Sequence, residues 1–171
     1  MPGSPTDAGD DGRVSASEAD YLWFVDRALD ALVRIVKELG DELANERPRL
    51  RNANSAYVIL THCLGVMEYW GGGTVAERAF QRDRPTEFTA RGDVAPLLRR
   101  ATEASRRLAE DIAGRDWAAA PANVRPDPED PAPYDEVKGA VLLHILEELY
   151  QHLGQMEITR DLLLADHERR A

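Results

Sequence analysis

Cysteine is nearly absent: Cys63 is the only one in 171 residues. That excludes an internal disulfide framework and fits a reducing, cytoplasmic setting. Long apolar runs are missing too, and none approaches the roughly 18 residues a transmembrane helix requires. Met1 to Arg13 is rich in Gly, Pro and Asp and has no apolar stretch, so it does not read as a signal peptide. Residues 1–14 are expected to be a disordered leader. Residues 15–171 are expected to form a single helical bundle domain, large enough to bury a core unaided. Basic charge is in deficit, with 21 Lys and Arg against 31 Asp and Glu and a formal charge of −10. This argues against nucleic acid and anionic membrane surfaces as partners. Strand-like alternation and internal repeats are lacking as well.

What the chain does contain is helical periodicity in four stretches. The first follows Ser15-Ala16-Ser17-Glu18, where Ser15 and Glu18 have capping-box spacing. Its apolar positions Leu22, Val25, Leu29, Leu32, Val33 and Val36 form one stripe, and it should stop near Asn45, before Pro48. The second opens at Asn54-Ser55, carries Val58, Leu60, Leu64, Val66 and Met67, and is expected to end at Gly71-Gly72-Gly73. A polar connection without clear period, Thr74 to Arg91, follows. The third helix starts at Gly92-Asp93, with Asp93 as N-cap and Pro96 in the first turn, where proline is tolerated. It turns Val94, Leu97, Leu98, Leu108 and Ile112 inward, presents an Arg-rich outer face, and closes at Gly114. Trp117 to Pro133 reads as a proline-rich loop without helix. The last helix spans about Tyr134 to Ala165, with Val137, Val141, Leu142, Ile145, Leu149, Leu153, Met156 and Ile158 inward. The fold class is therefore all-α, a four-helix bundle with long connections.

Polar residues interrupt the inward faces at a few positions. His144, Glu148 and His152 are spaced four and four, so they lie along one slanting stripe of the last helix. Glu148 and His152 can offer a carboxylate oxygen and an imidazole nitrogen to one ion, and His62 on the second helix can add a third donor. A set of two histidines and a glutamate suits zinc or a similar divalent ion and leaves coordination positions open. On spacing alone two other readings stand. His62 can be a core histidine with Glu148 and His152 an ordinary surface pair, or Glu147 or His144 can take the place of a nominated donor. His167 lies in a charged tail and reads as solvent-exposed. A two-metal carboxylate site is disfavoured, because neither Glu147 nor Glu148 has a histidine three residues on.

Three segments carry a resemblance to a known family. Thr61-His62-Cys63-Leu64-Gly65-Val66-Met67-Glu68-Tyr69-Trp70 resembles the second-helix motif of the DinB-like superfamily. His144-Ile145-Leu146-Glu147-Glu148-Leu149-Tyr150-Gln151-His152-Leu153-Gly154-Gln155 resembles its final-helix motif, with Glu148 where many members have histidine. That departure is similar to the actinobacterial, mycothiol-dependent branch, as is Arg82-Asp83-Arg84-Pro85-Thr86-Glu87-Phe88 with Ala90-Arg91-Gly92. The likeness runs from about Asp20 to Leu164.

The resemblance implies one divalent metal ion, zinc foremost with nickel or another divalent ion as alternative, on His62, Glu148 and His152. It further implies mycothiol as thiol co-substrate and a small electrophile as the other partner, in detoxification. A thiol with pKa about 8.5 is mostly protonated at neutral pH, and a divalent cation favours its thiolate. Arg82, Arg84 and His144 are then candidates for the thiol or substrate pocket, with a solvated loop of Arg–Asp pairs as the other reading of the two arginines. Glu68 reads as structural and Tyr69 and Trp70 as core aromatics. Cys63 points about 100° away from His62 and is not nominated as a nucleophile. A metal-dependent mycothiol S-transferase is the leading expectation. The alternatives are a mycothiol-dependent isomerase on the same fold and a non-catalytic, stress-associated metal-binding bundle. The electrophile, the native metal and pairing into a homodimer stay open.

Overall fold

The computed structural model describes residues 16–124 and 132–170. The expected leader and Ser15 lie outside the described residues. Helix α1, Glu18–Leu43, starts two residues later than the Ser15 box predicts. Ser17 is its N-cap, and Asp20 rather than Glu18 completes the box: Asp20 N–H donates to Ser17 Oγ, and Ser17 N–H donates back to the Asp20 carboxylate at 2.9 Å. Gly40, at φ 64°, bends the last turn.

Helix α2, Ala56–Val66, is capped by Ser55, whose Oγ accepts from Val58 N–H. The expected stop at the glycines does not occur. The chain runs on without a break into a π-helix, Met67–Val75, that crosses all three. Glycine ends helices when solvent can take up the freed carbonyls, but here Gly71 and Gly72 are buried. A Cβ on Gly71 would overlap the Leu108 side chain, and one on Gly72 would overlap the Arg78 guanidinium. Gly71 and Gly72 are what allow these neighbouring groups to press on the backbone, and the wider π turn accommodates them.

The connection that follows holds a one-turn helix α3, Arg84–Glu87, which sequence periodicity does not register. Helix α4, Val94–Ile112, begins at Asp93 as expected, but the Asp93 side chain makes no capping bond. Val94 N–H donates instead to Asp41 Oδ1 of α1 at 2.7 Å, so the cap comes from another helix. Gly114, at φ 63°, closes α4. Residues 117–124 are pinned by Lys138 N–H to the Ala119 carbonyl and Gly139 N–H to the Trp117 carbonyl. A 3-10 turn, Pro133–Asp135, precedes α5, Lys138–Glu168, four residues shorter at its start than expected.

α1 packs against α4 and α5, and α2 with its π extension packs against α4 and α5. Leu32, Leu60, Leu97, Leu108, Leu142, Ile145, Leu149 and Met156 are fully buried between them. Each such side chain contributes about 1.5–3 kcal/mol relative to an exposed one. Two residues expected inward are not: Val137 precedes the first turn of α5 and is exposed, and Ile158 is 64% exposed because its register falls on the outer flank. The fold is an all-α helical bundle. No helix among the described residues is long and apolar enough to cross a membrane.

Candidate metal centre

Nearly every side chain of α2 from Ala56 to Val66 is buried, so α2 is a central element and its one imidazole has no water to turn to. A buried imidazole needs partners on both ring nitrogens. His62, 4% exposed, has them. Its Nδ1 lies 2.8 Å from Glu87 Oε2, and its Nε2 lies 3.3 Å from Glu148 Oε2. From α5, His152 Nε2 lies 3.3 Å from that same Glu148 oxygen, while His152 Nδ1 is 2.8 Å from Gln155 Oε1. One donor atom from each of His62, Glu148 and His152 lies within 4.8 Å of the other two.

The outer bonds decide which nitrogen faces the centre. A carboxylate oxygen accepts and cannot donate, so the short contact to Glu87 requires the proton on His62 Nδ1. The Gln155 oxygen imposes the same on His152. Each Nε2 then faces the Glu148 carboxylate, and the contact is favourable with a proton on Nε2, which makes the ring an imidazolium, or with a metal cation between the two. The separations from Glu148 are long for charge-assisted hydrogen bonds, which cluster near 2.7–2.9 Å. They match the edge of roughly 3.3 Å between donors set about 2.0 Å from a tetrahedral zinc ion. The donor set therefore fits a divalent metal.

Hydrogen bonds from His152 and His62 hold the Glu148 carboxyl well below the usual carboxylate range. The same bond to Glu148 raises His152. At Glu87, burial works to raise the carboxyl, and hydrogen bonds from Arg82 and His62 outweigh it and leave it lowered. Arg82 grips Glu87 through Nε at 2.7 Å and Nη2 at 2.9 Å. Its Nη2 also lies 3.3 Å from His62 Nδ1, but both carry protons, so this is proximity and not a bond.

The centre opens on a cleft of about 440 Å³ lined by His62, Val66, Tyr69, Trp70, Arg82, Arg84, His144 and Glu148. All three residues expected in the pocket, Arg82, Arg84 and His144, line it. His144 is not among the converging donors: its Nε2 is 4.0 Å from Glu148 Oε1, and its ring packs on Tyr134 at 4.6 Å and edge-on to Trp70 at 5.1 Å. Glu147 points outward with a 69% exposed side chain, which removes it as a donor. Trp70 packs against the core as expected and also lines the cleft, whereas Tyr69 is a half-buried wall of the cleft outside the core cluster. Arg82 lies over the Tyr69 ring at 5.7 Å, and Arg84 over Phe88 at 5.2 Å. Cys63 is fully buried, and burial pushes its thiol up, which leaves it inert. His167 is exposed, as expected.

A second groove, about 400 Å³, lies between α4 and the start of the π-helix, with Glu68 on its rim. It holds no histidine, and most of its rim charges neutralise one another through Arg78–Asp111, Arg107–Glu103 and Arg107–Glu68. Its chemistry is that of a solvated helix face, in keeping with a structural Glu68.

Glu87, Gln155 and Tyr134 are site residues that sequence reasoning missed. Gln155 stands three residues after His152, one turn on, and that spacing was the available signal. Glu87 lies in a stretch without period and offered none.

Fold and site together define a helical bundle with an interhelical set of two histidines and a glutamate on an open cleft. The sequence carries the matching family signature. The mycothiol-S-transferase profile aligns over residues 21–165, and the chain belongs to that family. No curated protein sequence matches it.

Proposed function

We propose that this protein is a divalent-metal-dependent thiol S-transferase that conjugates mycothiol to small electrophiles, in detoxification. Family membership supports a mycothiol-related transferase. The observation that carries metal dependence is the convergence of His62, Glu148 and His152, with both Nδ1 atoms tied to acceptors so that both Nε2 atoms face inward. When bound, a divalent ion would supply acidification of the thiol, so that the sulfur reacts as thiolate at neutral pH.

The chain's own residues account for the remainder. Glu87 and Gln155 orient the two imidazoles. Glu148 and Glu87 contribute two negative charges against the one positive charge of Arg82. Tyr69, Trp70 and His144 line the cleft, and Tyr134 backs His144 from outside it, which gives the sulfur's approach an aromatic wall. Arg82 and Arg84 on the rim offer N–H donors to the hydroxyl and amide groups of a sugar-containing thiol, and proximity of the two substrates supplies much of the rate.

The test is elemental analysis of the purified protein, followed by calorimetric titration with mycothiol before and after chelation. Stoichiometric zinc or another divalent metal, with chelator-sensitive mycothiol binding, is the expected result. His152→Ala should lose both. No metal in the unaltered protein, even after reconstitution, would sink the reading. Turnover with an electrophile panel should consume thiol; thiol recovered unchanged would favour the isomerase instead.

A further inference from the structure

We infer that Glu87 is a positioning residue for the metal centre: it holds His62 in one tautomer and one orientation from behind and couples that ligand to Arg82 in the cleft. The inference rests on the reading that His62, Glu148 and His152 hold a divalent ion. It adds a residue that the motif spacing does not reveal.

The Glu87 carboxylate is buried and fully used. Oε1 accepts from Arg82 Nε at 2.7 Å, and Oε2 accepts from Arg82 Nη2 at 2.9 Å and from His62 Nδ1 at 2.8 Å. The fold makes space for it. Gly65 stands three residues after His62 on the same helix, and a Cβ there would overlap the carboxylate. Helix α3, which delivers Glu87, is anchored by Arg47 Nη2 donating to the Phe88 carbonyl at 2.7 Å. Phe88 itself lies 5.1 Å from the His62 ring, so the same connection supports the ring on a second side.

A carboxylate on Nδ1–H does two things to a ligating imidazole. It fixes the tautomer that bares Nε2, and it makes Nε2 a stronger donor. Arg82 tempers this by drawing on both carboxylate oxygens, which keeps the proton on Nδ1. Because Arg82 also lines the cleft, a substrate group that engages the guanidinium is felt at His62 through one shared carboxylate.

The experiment titrates Co2+ into the chelator-stripped full chain in competition with a chromophoric chelator, following the visible spectrum of the bound ion. Relative to the unaltered protein, E87Q should bind about 10–100-fold more weakly, the range for partners of metal-bound histidines, with a shifted cobalt spectrum. Gly65→Ala guards against a folding defect, since alanine is the better helix former and the new methyl displaces the carboxylate without removing a charge. It should weaken binding in the same direction. Arg82→Gln, which leaves the Glu87–His62 bond intact and removes a positive charge beside the site, should leave Co2+ binding at least as tight as in the unaltered protein. Unaltered affinity and spectrum in E87Q and Gly65→Ala, with normal binding by the parent protein, would overturn this inference alone. Equal losses in E87Q and Arg82→Gln, tracking a fall in thermal stability, would overturn it too, by assigning Glu87 to loop anchoring. Absence of Co2+ binding by the parent protein would instead overturn the metal reading and this inference with it.

Discussion

Replacing Asp111 by alanine should destabilise the protein by about 2 kcal/mol, and the loss should be felt in the cleft. Asp111 is 7% exposed and accepts from Arg78 Nε at 2.8 Å and Nη2 at 2.9 Å. The guanidinium lies against Gly72, and the Arg78 backbone N–H donates to the Gly72 carbonyl at 2.9 Å. The pair therefore clamps the π-helix that carries Tyr69 and Trp70. Breaking a buried pair by removing one partner costs about 3–5 kcal/mol. The Arg78 side chain is 36% exposed, so water takes up part of the stranded charge and the expected loss falls to about 2 kcal/mol. For a domain of this size that corresponds to a fall in Tm of roughly 4–8 °C. Thermal unfolding followed by circular dichroism measures the loss, and Trp70 fluorescence, isolated by replacing Trp23 and Trp117 with phenylalanine, reports the cleft wall. Converting both partners to leucine should recover most of the loss, because an apolar pair carries no desolvation cost. A drop below about 2 °C for Asp111→Ala, or a double variant no better than the single one, would refute the reasoning.

Two further outcomes are expected. Cys63, buried on every side and with its thiol raised by burial, should resist thiol-reactive dyes in the native protein and react only on unfolding; rapid labelling of folded protein would contradict its packing. Glu77 is held below its ordinary value of 4.5 chiefly by the hydrogen bond from Lys138, which is itself buried. A depressed folded-state value means that the pair stabilises the protein above the unfolded value and that this is lost as pH falls through the folded one. Glu77→Gln should therefore be less stable than the parent at neutral pH, with the two Tm curves converging at a pH below about 4; a constant offset across that range would contradict the linkage.

The helical period alone determined the all-α class and most of the core, because apolar residues every three or four positions give each helix one face that must leave water. The donor residues were also legible: four-residue spacing sets Glu148 and His152 on one stripe of α5 wherever that helix lies. The choice among donors was not. Only the packing of α5 on α2 brings Glu148 to His62, turns Glu147 to solvent and leaves His144 among aromatics. The glycine run shows the same division. Gly71 and Gly72 read locally as a stop, and what they do depends on Leu108 and Arg78 pressing on them from elsewhere in the chain. Asp41 caps α4 across helices, a bond no local pattern encodes. Glu87 was invisible for the same reason. A carboxylate in an aperiodic connection acquires a role only when tertiary contacts fix that connection, and here Arg47 and the space above Gly65 set it behind His62. Periodicity is a property of neighbours along the chain, whereas the orientation of a metal ligand belongs to neighbours in space.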